Sequence, residues 1–260
     1  MSEFIVVSRQ DAIATVTINN IKRRNALNRA AWKALTEKVA DISNDNSLRC
    51  VVLRGAGDEA FAAGADISEF PTERANSAQA SIYGSETATA LRTLMWCPHP
   101  TVAMIQGACT GGGLEIACCC DIRICNESAR FGIPINRIGH PFAYPELEPV
   151  LHVAGRAAVL ELTLEGRIVD AKWAVSRGLV NRVVSDDKLE KEILNTAINI
   201  ANGAPLSVRG TKKFVNRLMF GRTPLSDVEI EESYAACDSE DYAEGVDAFL
   251  AKRKPVFNCR

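Results

Sequence analysis

The chain has 260 residues, 47% of them hydrophobic and 24% charged, and a formal net charge of -2. That length buries a substantial core, as one large domain or a domain with an appendage. The near-neutral charge argues against nucleic acid as a partner, and the apolar runs are far too short for a membrane span. The N-terminus lacks a basic stretch followed by an apolar one, so a cytoplasmic protein is expected.

Residues 4–7 and 12–18 are apolar or alternating around Gln10-Asp11 and predict a β-hairpin. Trp32, Leu35, Val39 and Ile42 recur at helical spacing and predict a helix over 30–42. Residues 50–53 predict a strand, 77–95 a long helix closed by Pro98 and Pro100, and 101–105 a second strand. Residues 114–120 read as a short buried helix, and 122–125 as a further strand. Strands that repeatedly feed helices indicate an α/β core. From Lys188 the pattern changes, and 188–201, 205–220, 225–236 and 240–250 all read as helices. The expected division is a core over 1–187 and a helical region over 188–260.

Nine cysteines raise the question of disulfides, but Cys118-Cys119-Cys120 lie together in an apolar helix and no pair has CxxC spacing. An odd count fits a reducing compartment. None of the three histidines has metal-ligand spacing to another His or Cys, so no metal is expected.

Two small-residue stretches carry chemistry. Gly111-Gly112-Gly113 joins the strand 101–105 to the helix that bears Glu115. Glycines let a ligand approach the backbone, and the first N–H groups of a helix have no intrahelical partner and suit a developing negative charge. Glu115 lies one turn beyond Gly112, on the same face. Close helix–strand packing with a solvated Glu115 would explain this junction equally well by itself. The second stretch, Ala63-Gly64-Ala65-Asp66-Ile67, follows the strand 50–53, and Asp66 is placed to cap whatever begins at Ile67. Two backbone donors from separate loops make an oxyanion hole.

Together these stretches resemble the crotonase (enoyl-CoA hydratase/isomerase) superfamily, over the whole chain. Arg24-Asn25-Ala26-Leu27-Asn28 is similar to its CoA-contacting loop, and Ala63–Asp66 and Gly111–Glu115 to its two oxyanion loops. Leu164-Glu165-Gly166-Arg167, with Ala171 and Gly178-Leu179-Val180, matches the following segment, and 239–255 the C-terminal helix. The resemblance implies a spiral of ββα repeats with a C-terminal helical trimerisation domain, assembled as a homotrimer or homohexamer. It implies an acyl-CoA substrate of the kind met in fatty-acid metabolism, with no separate cofactor. The Ala65 and Gly112 N–H groups would hold the thioester oxygen, and Glu115 would act as acid or base. Asn25, Ala26, Leu27, Ala63, Asp66 and Ile67 would contact coenzyme A, with Phe249 and Lys252 meeting the nucleotide, across a subunit boundary if need be.

The chain departs from the family in two places. Where hydratases carry a second glutamate after a proline, this chain reads Phe131-Gly132-Ile133-Pro134-Ile135. The glycine-rich stretch beyond is replaced by Phe142-Ala143-Tyr144-Pro145-Glu146. Ile135, His140, Tyr144 and Glu146 thus become candidates for the acyl pocket, with Asn136 and His152 nearby. Each has a plainer reading as packing, loop or first-turn residue. Three functions remain open: a lyase working through an enolate, by hydration or C–C cleavage, with Glu115 as its one assured acid/base; a malonyl-type decarboxylase, although Ala65 replaces the histidine of one such branch; and a CoA- or RNA-binding homologue without turnover.

Overall fold

The computed structural model describes residues 3–221 and 223–259; Met1 and Ser2, the start of the terminus discussed above, lie outside them. Strands β1 (Ile5–Gln10) and β2 (Ile13–Ile18) form the expected antiparallel hairpin, with Ile5 opposite Ile18. Asn28 then caps α1 (Arg29–Ser43) by accepting from the Ala31 N–H at 2.8 Å. In chain order follow β3 (Cys50–Gly55), β4 (Ala60–Ala62), the short α2 (Phe70–Glu73) and α3 (Ser77–Met95). Next come β5 (Thr101–Ile105), β6 (Ala108–Thr110), α4 (Gly112–Cys119), β7 (Ile122–Asn126) and β8 (Arg130–Gly132). Helix α5 (Tyr144–Leu164), kinked at Gly155, precedes β9 (Ile168–Asp170), α6 (Ala171–Ser176) and β10 (Arg182–Val184). Helices α7 (Leu189–Ala201), α8 (Pro205–Phe220), α9 (Asp227–Glu232) and α10 (Glu240–Leu250) complete the described chain.

Two sheets organise these elements. The larger has the order β1-β2-β3-β5-β7-β10, parallel from β2 onward, and the smaller the order β4-β6-β8-β9. Parallel strands are covered on both faces, which is why β3 and β5 read as unbroken apolar runs. Alternate residues serve different cores. Val51, Leu53, Ala103 and Ile105 join Trp32, Leu35, Leu91 and Leu94 on one side. Cys50, Val52, Val102, Met104 and Ile124 face the other, where Leu189, Ile193 and Ala197 of α7 cover them.

The smaller sheet and α5 were not expected from the sequence. Its strands are three residues long, too short to show a period. Pro145 and Pro149 obscured the start of α5; Pro145 occupies its first turn, where a proline costs no helical hydrogen bond. The helix expected over 225–236 is split into α9 and a separate 3-10 turn, Ala235–Asp238.

All nine cysteines are free thiols, and burial pushes those of Cys118 and Cys120 up to about 12. Among the described residues no helix is long and apolar enough to cross a membrane, and no His, Cys, Asp and Glu cluster has a metal-binding arrangement.

Candidate active site

The smaller sheet sets the two small-residue loops side by side. After β4, the Ala63 N–H donates to Arg24 O at 2.9 Å, Leu27 N–H to Gly64 O at 2.8 Å, and Asp66 N–H to Leu27 O at 2.8 Å. This pairing with the 24–27 loop leaves the Ala65 N–H without an acceptor among the described residues. Gly64 has φ 101, a region that a side chain strongly disfavours. Asp66 accepts from the Ser68 N–H at 3.1 Å, the cap expected of it, and pairs with Arg23. Asn25 is buried at φ 57 and locks the loop: its Nδ2 donates to Ala56 O at 2.9 Å and Ala60 O at 2.7 Å, and its Oδ1 accepts from Asn20 N–H.

After β6, Gly111 (φ 49) donates to Gly132 O at 2.9 Å and accepts from Glu115 N–H at 3.0 Å. The Gly112 N–H, at the start of α4, likewise has no acceptor among the described residues. The two free amides border one spot. A Cβ placed on Gly64 would lie 3.3 Å from the Gly112 nitrogen, and one on Gly112 would lie 3.6 Å from the Ala65 nitrogen. The Gly112 Cβ would also stand 2.8 Å from Trp32 Cζ2, so the indole fills the space behind this glycine.

These amides open into a cavity of about 130 Å³. Glu115 borders it from α4 and Glu146 from the first turn of α5, each only 5% exposed. Burial pushes the Glu115 carboxyl well above the usual carboxylate range; the charge of Glu146 adds to this, and Arg74 opposes it. Burial also raises Glu146, but Arg74 and the nearby Ala143 backbone pull it back. Burial thus favours the neutral form of both carboxyls, and Arg74 opposes the rise in each. Such a pair can give and take a proton at one site.

Ile135 and His140 also line the cavity, as expected, with Ile135 presenting hydrocarbon where a carboxylate was sought. Tyr144 does not line it: it is 89% exposed at the start of α5, because the helix turns this residue outward as it turns Glu146 inward. Asn136 and His152 are engaged elsewhere. Asn136 Nδ2 donates to Leu164 O at 2.9 Å, and the His152 ring lies edge-on to Phe220 at 4.5 Å. Ala63, Ala65 and Ile67 lie at the cavity wall, whereas Phe249 (83% exposed) and Lys252 stand on the surface at the end of α10, apart from it.

Several cavity residues escaped the sequence reading, Trp32, Arg74 and Tyr83 among them. Trp32 and Tyr83 read as helix-core positions, and Arg74 lies in a stretch with no period to mark it. Nothing local would have found them, since only the folded chain brings α2 and α3 against α4 and α5.

Comparisons with known proteins identify the family. Residues 8–260 match the family model described as enoyl-CoA hydratase/isomerase. The short-chain-enoyl-CoA hydratase of Clostridium acetobutylicum is 33% identical, over 96% of this chain and 95% of its own. A mitochondrial Delta(3,5)-Delta(2,4)-dienoyl-CoA isomerase of Dictyostelium discoideum is 29% identical, over 95% and 88% respectively. Among solved structures, one described as an enoyl-CoA hydratase/carnithine racemase from Magnetospirillum magneticum superposes with a TM-score of 0.97 at 52% identity, covering 100% of this chain and 97% of that one.

Proposed function

Since the chain belongs to the enoyl-CoA hydratase/isomerase family, we propose that it hydrates a short enoyl-CoA with Glu115 and Glu146 as its two carboxyl groups. The observation that carries this is the shared cavity: two free backbone amides and two buried carboxyl groups meet in one place. The thioester oxygen sits between the Ala65 and Gly112 N–H groups, which draw charge from the β-carbon. Ionised Glu146 accepts a proton from water as its oxygen bonds to the β-carbon. The resulting enolate is held by the amides, and neutral Glu115 gives its proton to the α-carbon. Water is added across the double bond, and the pair returns to its starting state by passing one proton back.

In this reading Glu146 does from α5 what the family's second glutamate does from the position held here by Ile135. The coenzyme A portion follows the 24–27 and 63–67 loops, and α8 to α10 build a homotrimer or homohexamer. Exposed Leu218, Val228, Phe249 and Leu250 support such an interface. The test is a panel of short thioesters. Loss of the enoyl absorbance, with a 3-hydroxyacyl product, is the expected result. Release of CO2 from a malonyl-type thioester, or tight binding of all thioesters without turnover, would refute it.

A further inference from the structure

Arg74 does more in this cavity than the hydration chemistry requires. Its guanidinium lies 4.5 Å from the Phe70 ring centroid and 5.2 Å from that of Tyr83. No carboxylate among the described residues is within ion-pair reach of it, and Glu73, its neighbour in the chain, pairs with Arg29. Its Nη2 donates to His140 Nε2 at 2.6 Å, since a guanidinium has no lone pair to offer. That bond leaves the His140 proton on Nδ1, and burial together with Arg74 holds the ring neutral. The Tyr83 hydroxyl, on a residue 2% exposed, donates to no acceptor among the described residues, with the Trp32 indole beside it. One wall of the cavity thus offers a cation and unspent donors, held against aromatic faces.

Building on the hydratase reading, we propose that the acyl group carries a carboxylate at its far end, and that Arg74 binds it: the substrate class is a short dicarboxylyl-CoA. Size agrees. In a five-carbon group the second carboxylate lies two carbons beyond the β-carbon, so its cation must stand near the catalytic carboxyl pair. Arg74 does so, since it lines the same cavity as Glu115 and Glu146. A cationic acyl group such as a carnityl one is disfavoured, because the aromatic faces that would hold it already carry the guanidinium.

The test is equilibrium binding of two saturated thioesters, glutaryl-CoA and its uncharged counterpart pentanoyl-CoA, which need no turnover. The wild-type protein should bind glutaryl-CoA about tenfold more tightly or better, as a charge-assisted hydrogen bond allows. Arg74→Gln should bring the two to within about threefold, and Arg74→Lys should restore part of the gap. Equal binding by the wild type would overturn the proposal. So would an Arg74→Gln variant that weakens both thioesters alike, since that assigns Arg74 to the carboxyl pair alone. Hydration of glutaconyl-CoA is read separately: a binding preference without turnover refutes the hydratase reading and leaves this one standing.

Discussion

Glu146→Gln isolates the question that Ile135 raises. Glutamine fills the same space and keeps a hydrogen-bonding end, but it cannot take a proton. General acid–base help is worth roughly 10²–10⁴-fold, or about 2.7–5.5 kcal/mol of barrier. Glu146→Gln and Glu115→Gln should each lower kcat by that order, and the double variant should fall little further, because the two act as one device. The pH profile carries a second signature. Glu146 is one of the groups that raise Glu115, so removing its charge moves the loss of the neutral Glu115 form to lower pH. The alkaline limb of kcat against pH should therefore shift toward acid in Glu146→Gln. Stability should respond in the opposite sense to activity. A carboxyl whose folded value is raised binds its proton more tightly in the fold, so stability falls as pH rises from the ordinary carboxylate range through the raised value. Glu115→Gln escapes that loss and should melt no lower than the wild type at pH 7. Steady-state hydration across pH and thermal melts check all of this. A Glu146→Gln enzyme within about threefold of wild type would refute the role given to Glu146, and Tyr144→Phe serves as the exposed control.

Asn25→Ala should destabilise the fold by about 2–4 kcal/mol in denaturant titration, because it strips partners from Ala56 O, Ala60 O and Asn20 N–H at a left-handed position; a loss below about 1 kcal/mol would contradict the locking role. Gly112→Ala should lower the melting temperature, since its methyl meets buried Trp32 at 2.8 Å and overpacking costs ~1–3 kcal/mol. An unchanged melt would show that the indole yields. Deleting 188–260 should give insoluble protein, because removing α7 bares Cys50, Val52, Val102 and Met104; a soluble, folded product would count against it. Light scattering of the intact chain should return a trimer or hexamer, and a monomer would refute the assembly proposed here.

Much of this site is local, and local order is legible in residue types. The glycines at 111–113 and Glu115 one turn on are contiguous, so spacing alone aims an amide and a carboxyl at one place, although the strand that delivers them is β6 and not the expected 101–105. Asp66 declares itself as a cap for the same reason. The faces of α1 and α3 follow from a period of 3.6, and the two faces of β3 and β5 from burial on both sides. The partner of Glu115 is another matter. Tyr144 and Glu146 stand two residues apart in one loop-like stretch, and no sequence pattern tells them apart. A helix beginning at Tyr144 rotates successive residues by about 100°, which sends one side chain to solvent and the other into the cavity. The same holds for Arg74, whose meaning depends on α2 being laid against α3 beside the cavity that Glu146 of α5 borders. Contacts between stretches far apart in sequence arise from packing of whole elements, and only the tertiary structure decided which buried charges would face each other.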